Sequence, residues 1–202
     1  MSFPSNSNDS STGGPLLPAA PSPLPGGLTF EQFLQTVLVG VSGIADPSLV
    51  RPKYQQKPPK NPDVDVDWLS FNVTEVDADT HAFNGVDSDG NNVFQRMEAI
   101  VVQCSFYGPN AFQYTSLVRD SFQIGQNREA LQSAKMDFVS TSKATRVPDL
   151  VNEKWRNRWE MSVYLRREII RTYPILTFIS ASGTLYTLGS SGEKAVAWVG
   201  KE

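Results

Sequence analysis

From Arg158 to Ile170 apolar and polar residues alternate. Trp159, Met161, Val163, Leu165 and Ile169 fall on one side; Arg158, Glu160, Ser162, Arg166 and Glu168 fall on the other. Period-2 alternation of this kind marks a strand with one buried and one wet face. At ~3.3 Å per residue the strand spans about 40 Å, far beyond the usual five or six residues. It overshoots the core of a small domain, so its overhang must meet solvent or another subunit. Arg167 interrupts the apolar row, where a lone buried cation would be costly. It can reach an acid or a carbonyl across a subunit boundary, or snorkel with its stem on the core and its head in water. On this reading Arg167→Glu spares the fold and impairs assembly. The candidate subunit interface is Arg158, Arg166, Arg167, Glu168 and Arg171.

Helical spacing governs the other end of the chain. Phe30, Phe33, Leu34, Val37, Leu38 and Val41 share one face, with a capping-box pattern at Thr29 and Gln32 and stop signals at Gly43 and Pro47. Residues 51–63 carry four prolines and four basic residues and read as an extended loop. Trp68 to Val73 reads as a short strand, with Leu69, Phe71 and Val73 on one face. Val93 to Tyr107 is a long strand ended by Gly108-Pro109. Asn110 can cap a helix to about Phe122, with Ala111, Tyr114, Thr115, Val118 and Phe122 inward. Asn127 begins a shorter helix to Ala134, and Met136 to Ser140 is a brief strand. Pro148 to Trp155 reads as a turn or short helix. Tyr173-Pro174 breaks the long strand, and Ile175 to Ile179 continues as a strand apolar on both sides. Gly183 and the run from Gly189 to Gly192 read as turns, and Ala195 to Val199 as a last strand or an arm.

Composition adds boundaries. Residues 1–27 are mostly Ser, Asn, Gly and Pro and bury too little apolar surface to offset their ordering entropy. They read as a flexible or extended arm, which a neighbouring subunit could order. The expected organisation is an arm at 1–27, one domain at 28–189 and a tail or second arm at 190–202. A net charge of −3 argues against a protein that grips nucleic acid through phosphates. No apolar run is long enough to span a bilayer, and with no Lys or Arg before Arg51 a secretory signal is not expected. The chain reads as soluble and made in a reducing cytoplasm.

The residues give little support for catalysis. Cys104 is the single cysteine; it alternates with Ile100, Val102 and Phe106 and reads as a buried apolar residue. His81 is the single histidine and has no nucleophile motif near it. Asp87-Ser88-Asp89-Gly90-Asn91-Asn92 opens like a calcium loop but lacks the terminal glutamate, so a hairpin turn on Asp89-Gly90 is the better reading. Asp63, Asp65, Asp67, Asp77 and Asp79 are better read as turn and strand-edge acids than as metal ligands. No catalytic, cofactor or metal residue is assigned. Trp155-Arg156-Asn157-Arg158-Trp159 could stack bases, but the alternation and the neighbouring acids favour packing plus an ion-paired interface.

Several words along the chain resemble the neck or tail-terminator proteins of tailed bacteriophages: RPKYQ at 51–55, SFYGP at 105–109, RDSF at 119–122, QNRE at 126–129, VPDLVNEKWRNRWEM at 147–161 and RREIIRTYPIL at 166–176. The resemblance covers roughly residues 28–188. It implies an α+β fold, a mainly antiparallel sheet with long strands flanked by two or three helices. It also implies a structural virion protein, neither an enzyme nor a cofactor carrier, that forms a hexameric ring at the head–tail junction. Its partners would be copies of itself, the tail tube protein, the tail sheath protein and a head-completion or connector protein. DNA would pass through the lumen without specific binding, and no membrane would be involved. The alternatives left open are another tail or connector protein, a binding module that recruits a partner through its Pro-rich arm, and an enzyme using the Asp-rich region with a divalent ion.

Overall fold

The computed structural model describes residues 15–19, 28–175, 180–189 and 192–201. Two compact units emerge. The larger takes Ala20–Asn84 and Phe94–Arg171; the smaller takes Met1–Ala19, Gly85–Val93 and Thr172–Glu202. The chain is α+β, built on a mostly antiparallel sheet of long strands with three α-helices.

Helix α1 runs Leu28–Ser42. It ends because Gly43 takes a φ of +72°, the left-handed conformation that glycine adopts without a Cβ clash. A short turn at Pro47–Leu49, capped by the Asp46 carboxylate accepting from the Ser48 amide at 2.9 Å, leads into β1, Val50–Pro52. Here the structure corrects the sequence reading, since Arg51 and Pro52 are strand and not loop. Strand β1 pairs in parallel with β2, Trp68–Ala78. Proline is tolerated because β1 lies at the sheet edge, where a missing donor breaks no central ladder. Strand β2 is also longer than its apolar pattern indicated. Beyond Val73 it turns exposed and polar, through Thr74, Glu75 and Asp77.

Strand β3, Phe83–Val86, leads to β4, Asn92–Tyr107, with which it pairs. Between them Asp87 makes the turn: its Oδ1 accepts from the amides of Asp89 and Asn91 at 2.9 and 2.8 Å. Gly90 supplies a φ of +82°. Helix α2, Ala111–Ser121, and the single-turn helix α3, Glu129–Ser133, follow. Then come β5, Met136–Thr141, and β6, Thr145–Arg146. The segment read as a turn or short helix is a hairpin of β7, Asp149–Val151, and β8, Lys154–Arg156. Its two loop residues, Asn152 and Glu153, have φ of 48° and 63°, as a two-residue turn of matching twist requires.

Strand β9, Arg158–Tyr173, is the long strand that the alternation marks, and it stops before Pro174. The main sheet order is β1-β2-β4-β9-β5, with β6 also beside β9. Contacts Ser105–Glu160 and Glu98–Arg167 advance in opposite directions, so β4 and β9 are antiparallel. On the inner face Leu69, Phe71, Ile100, Val102, Cys104, Phe106, Met161, Val163 and Leu165 join Phe30, Leu34, Leu38, Val41, Val118 and Phe122 from the helical side. Each such aliphatic or aromatic side chain stabilises by roughly 1.5–3 kcal/mol on full burial. The predicted inner row of α2 is buried as expected at Ala111, Thr115, Val118 and Phe122, with Tyr114 half-buried.

In the smaller unit β10, Ser180–Gly189, and β11, Gly192–Lys201, form an antiparallel hairpin. Gly189 pairs with Gly192 at its turn, as read, but Gly183 lies within β10 opposite Trp198 and makes no turn. A lone glycine is compatible with a paired strand, which the turn reading overlooked. Of the strand expected over Ile175 to Ile179, residues 176–179 lie outside the described residues, as do 1–14 and 20–27 of the arm. In the described part of the arm the Ala19 amide donates to the Thr172 carbonyl at 2.7 Å.

Candidate functional site

Alternation along β9 gives the main sheet two chemically different faces. The inner one carries the core; the outer one carries the polar row. At one end of the outer face Trp68 of β2 stacks on its cross-strand partner Tyr107 of β4, with centroids 4.1 Å apart and planes within 9°. The guanidinium of Arg51 lies 4.6 Å from the Trp68 centroid, and that of Arg156 lies 4.6 Å from the Tyr107 centroid. Two cations thus bracket two stacked rings, which holds both guanidiniums rigidly. All four side chains are buried.

The hairpin of β7 and β8 sets the far side. Asp149 accepts from Arg156 Nη2 at 3.0 Å and from Arg158 Nη1 at 2.9 Å, and Arg158 also pairs with Glu160. Ser105 Oγ donates to Glu160 at 3.4 Å. Burial opposes the charge on Asp149, but the hydrogen bonds and charges of Arg156 and Arg158 prevail and hold its carboxyl below the usual carboxylate range. Burial likewise opposes the charge on Arg158, yet Glu160 and Asp149 keep its pKa raised. Arg51 differs: desolvation pulls its pKa down, and among the described residues no carboxylate pairs with it.

Asp149 gives a prediction with a definite sign. A carboxyl whose folded pKa is depressed contributes stability that is present above its unfolded pKa and lost as pH falls through the folded value. Asp149→Asn should therefore lower stability at neutral pH and flatten the loss between about pH 5 and pH 2. Thermal denaturation across that range checks it; an unchanged acid limb would contradict the role given to Asp149.

The sequence-predicted residues divide between the two faces. Arg158 belongs to the cluster just described. Arg166 is exposed and borders a surface depression of about 400 Å³ with Asp77 and Asp79. At ~3.3 Å per residue, Arg158 and Arg166 lie about 26 Å apart along β9. Glu168 accepts a hydrogen bond from Gln95, and Arg171 is half-buried near the strand's end. Arg167 lies on the inner face, 8 % exposed. Its Nε and Nη2 donate to Glu98 Oε2 at 3.1 and 2.6 Å, and its guanidinium sits 4.9 Å from the Phe30 centroid. The acid it reaches is therefore in its own chain, and its head is not in water. This corrects the expectation that Arg167→Glu spares the fold.

The residues that pattern reading missed are Arg51, Trp68, Tyr107, Asp149 and Arg156. A signal was available: RPKYQ, SFYGP and VPDLVNEKWRNRWEM, three of the words that carry the family resemblance, converge on this cluster. The chemistry of the arrangement suits binding and orienting; among the described residues it offers no nucleophile–base pair. His81 is exposed. Cys104 is fully buried, and burial pushes its thiol up to about 12, so it carries no reactive thiolate at neutral pH. Trp159 packs against Phe112 with centroids 4.6 Å apart, whereas Trp155 at the other end of that stretch is 71 % exposed, so the packing reading holds for Trp159 and not for Trp155.

No curated protein matches the chain. A family model described as phage neck terminator protein matches residues 29–189, from the first turn of α1 to the last residue of β10. That span is well over half of the 202 residues, and such proteins are structural parts of the virion neck, associated with other tail or head proteins. The chain belongs to the phage neck terminator protein family.

Proposed function

We propose that the protein forms a ring, hexameric in the assembled virion, at the head–tail junction. There it terminates the tail tube and joins it to the head-completion proteins. The observation that carries this reading is the family match across nearly the whole described fold. Ring closure requires heterologous contacts, in which one patch meets a different patch on the next copy. The outer face of the sheet supplies chemically distinct patches, an arginine–aromatic cluster at one end and the Asp77, Asp79 and Arg166 surface at the other. Arg158, Arg166, Glu168 and Arg171 are the proposed contact residues, with Arg167 behind them fixing Glu98. DNA would traverse the lumen without being gripped, since phosphate affinity grows with each Lys or Arg contact and this chain has a net charge of −3.

Particles lacking the protein should show, by electron microscopy, tails of uncontrolled length or unjoined heads and tails. Normal particles assembled without it would overturn the proposal. Mass measurement of the ring released from particles tests the copy number separately.

A further inference from the structure

Beneath the Pro-rich loop that follows β1, the arginine–aromatic cluster lines a cavity of about 310 Å³. Its floor is Trp68, Ser70 and Tyr107, its cations are Arg51 and Arg156, and Tyr54 stands at its rim, 71 % exposed. Apart from the Ser70 hydroxyl, which can donate or accept, the polar atoms left over here are donors. Arg51 Nη1 reaches the Lys60 carbonyl at 3.4 Å, but Arg51 Nη2 finds no acceptor among the described residues. Arg156 Nε, Trp68 Nε1 and Ser70 Oγ are buried and unmatched as well. Guanidinium and indole nitrogens can only donate, and buried donors are ordinarily paired. With the two cationic side chains of Arg51 and Arg156 lining one cavity and no carboxylate among its lining residues, the complementary occupant is an acceptor-rich anionic group.

We propose that this cavity is a socket for a carboxylate side chain of an acidic, extended segment on a partner protein. The cations are recessed: Arg51 is 9 % exposed and Arg156 is 7 % exposed. A carboxylate on a short methylene stem can enter, whereas the backbone of a nucleic-acid duplex is too broad to follow it. Pro52, Pro58 and Pro59 around the cavity, with Tyr54, give the apolar surfaces against which an extended peptide packs. The guanidinium fork matches a carboxylate in plane and spacing, and its stacking on Trp68 fixes it before the partner arrives. The inference names the partner chemistry of one patch of the proposed neck surface and rests on that reading. Its test uses the isolated chain, so it can fail while ring formation in particles holds, and the reverse.

The full chain is titrated calorimetrically with a blocked peptide rich in Asp and Glu, its Asn and Gln isostere, inorganic phosphate and a short DNA duplex. The acidic peptide should bind saturably and more weakly as salt rises, and the isostere should not bind. Arg51→Gln, checked by circular dichroism, should lose about tenfold or more in affinity, the scale of one charge-assisted hydrogen bond. Arg166→Gln, at the far end of the face, should bind as the parent does. Tyr54→Glu places a negative charge at an exposed rim position and should weaken binding without touching the core; it decides the matter if Arg51→Gln does not fold. The proposal is overturned if the isostere matches the acidic peptide, if phosphate or the duplex binds in preference, if the peptide does not bind at millimolar concentration, or if the rim variant binds unchanged.

Discussion

Arg167→Glu should destabilise the folded subunit by about 3–5 kcal/mol, the range for leaving one member of a buried ion pair without its partner. In a domain of this size that corresponds to a fall in Tm of roughly 10 °C. Two donors of Arg167 meet one carboxylate oxygen of Glu98, and both side chains are at most 14 % exposed. The substitution sets two carboxylates against each other with no cation between them, beside the ring of Phe30. Reversing the pair, with Arg at 98 and Glu at 167, should recover part of the loss, because the two positions are directly coupled. Replacing both by apolar residues of similar volume should cost little or even stabilise, since the pair is expensive to desolvate. Thermal melts of the single, swapped and apolar variants give the answer. A wild-type Tm for Arg167→Glu would mean that the guanidinium is solvated in the free subunit.

Gly108→Ala should cost about 3 kcal/mol or more, from backbone strain combined with overpacking. Gly108 has a φ of +107°, which L side chains rarely adopt. A Cβ there would lie 2.6 Å from the Val66 carbonyl oxygen and 2.7 Å from Asp67 Cα, and would also strike the Asp67 carboxylate. The collision is with backbone, so no rotamer change relieves it. The same carboxylate accepts from the Asn110 amide at 2.8 Å and from Asn110 Nδ2 at 2.9 Å, so displacing it also loosens the entry to α2. Gly108 donates its own amide to the Asn157 carbonyl at 3.1 Å, tying the end of β4 to the start of β9. Gly40→Ala is the control. It lies inside α1 with nothing within 4 Å of the added methyl, and should stabilise by roughly 0.5–1 kcal/mol through helix propensity. Equal melting temperatures for the two variants would rule out the crowding at Gly108.

Much of this architecture was legible before any coordinates. The strand from Arg158, the inward rows of α1 and α2 and the turn on Asp89-Gly90 follow from local periodicity and turn chemistry, which act between residues close in sequence. The errors share another origin. Strand β1 was hidden because Pro52 and the prolines that follow it argue against a ladder, and the edge position that excuses Pro52 is a property of the sheet. The second half of β2 was cut off because Thr74, Glu75 and Asp77 face outward on both sides there, leaving no apolar period to read. The hairpin of β7 and β8 turns on Asn152-Glu153, whose glutamate is an unusual residue for a positive φ.

What the sequence determined by itself was which faces are apolar, where the strongly periodic helices and strands run, and that one arginine stands in an otherwise apolar row. Only the tertiary structure decided what meets that arginine, because Glu98 and Arg167 are brought together by the register of β4 against β9 across 69 residues of chain. The same holds for the arginine–aromatic cavity. Arg51, Trp68, Tyr107 and Arg156 come from four separate strands, and nothing local in any of them marks the others. Periodicity records whether a side chain is turned toward the core or away from it. Which polar groups then become neighbours is fixed by strand order and register, through contacts between residues far apart in sequence.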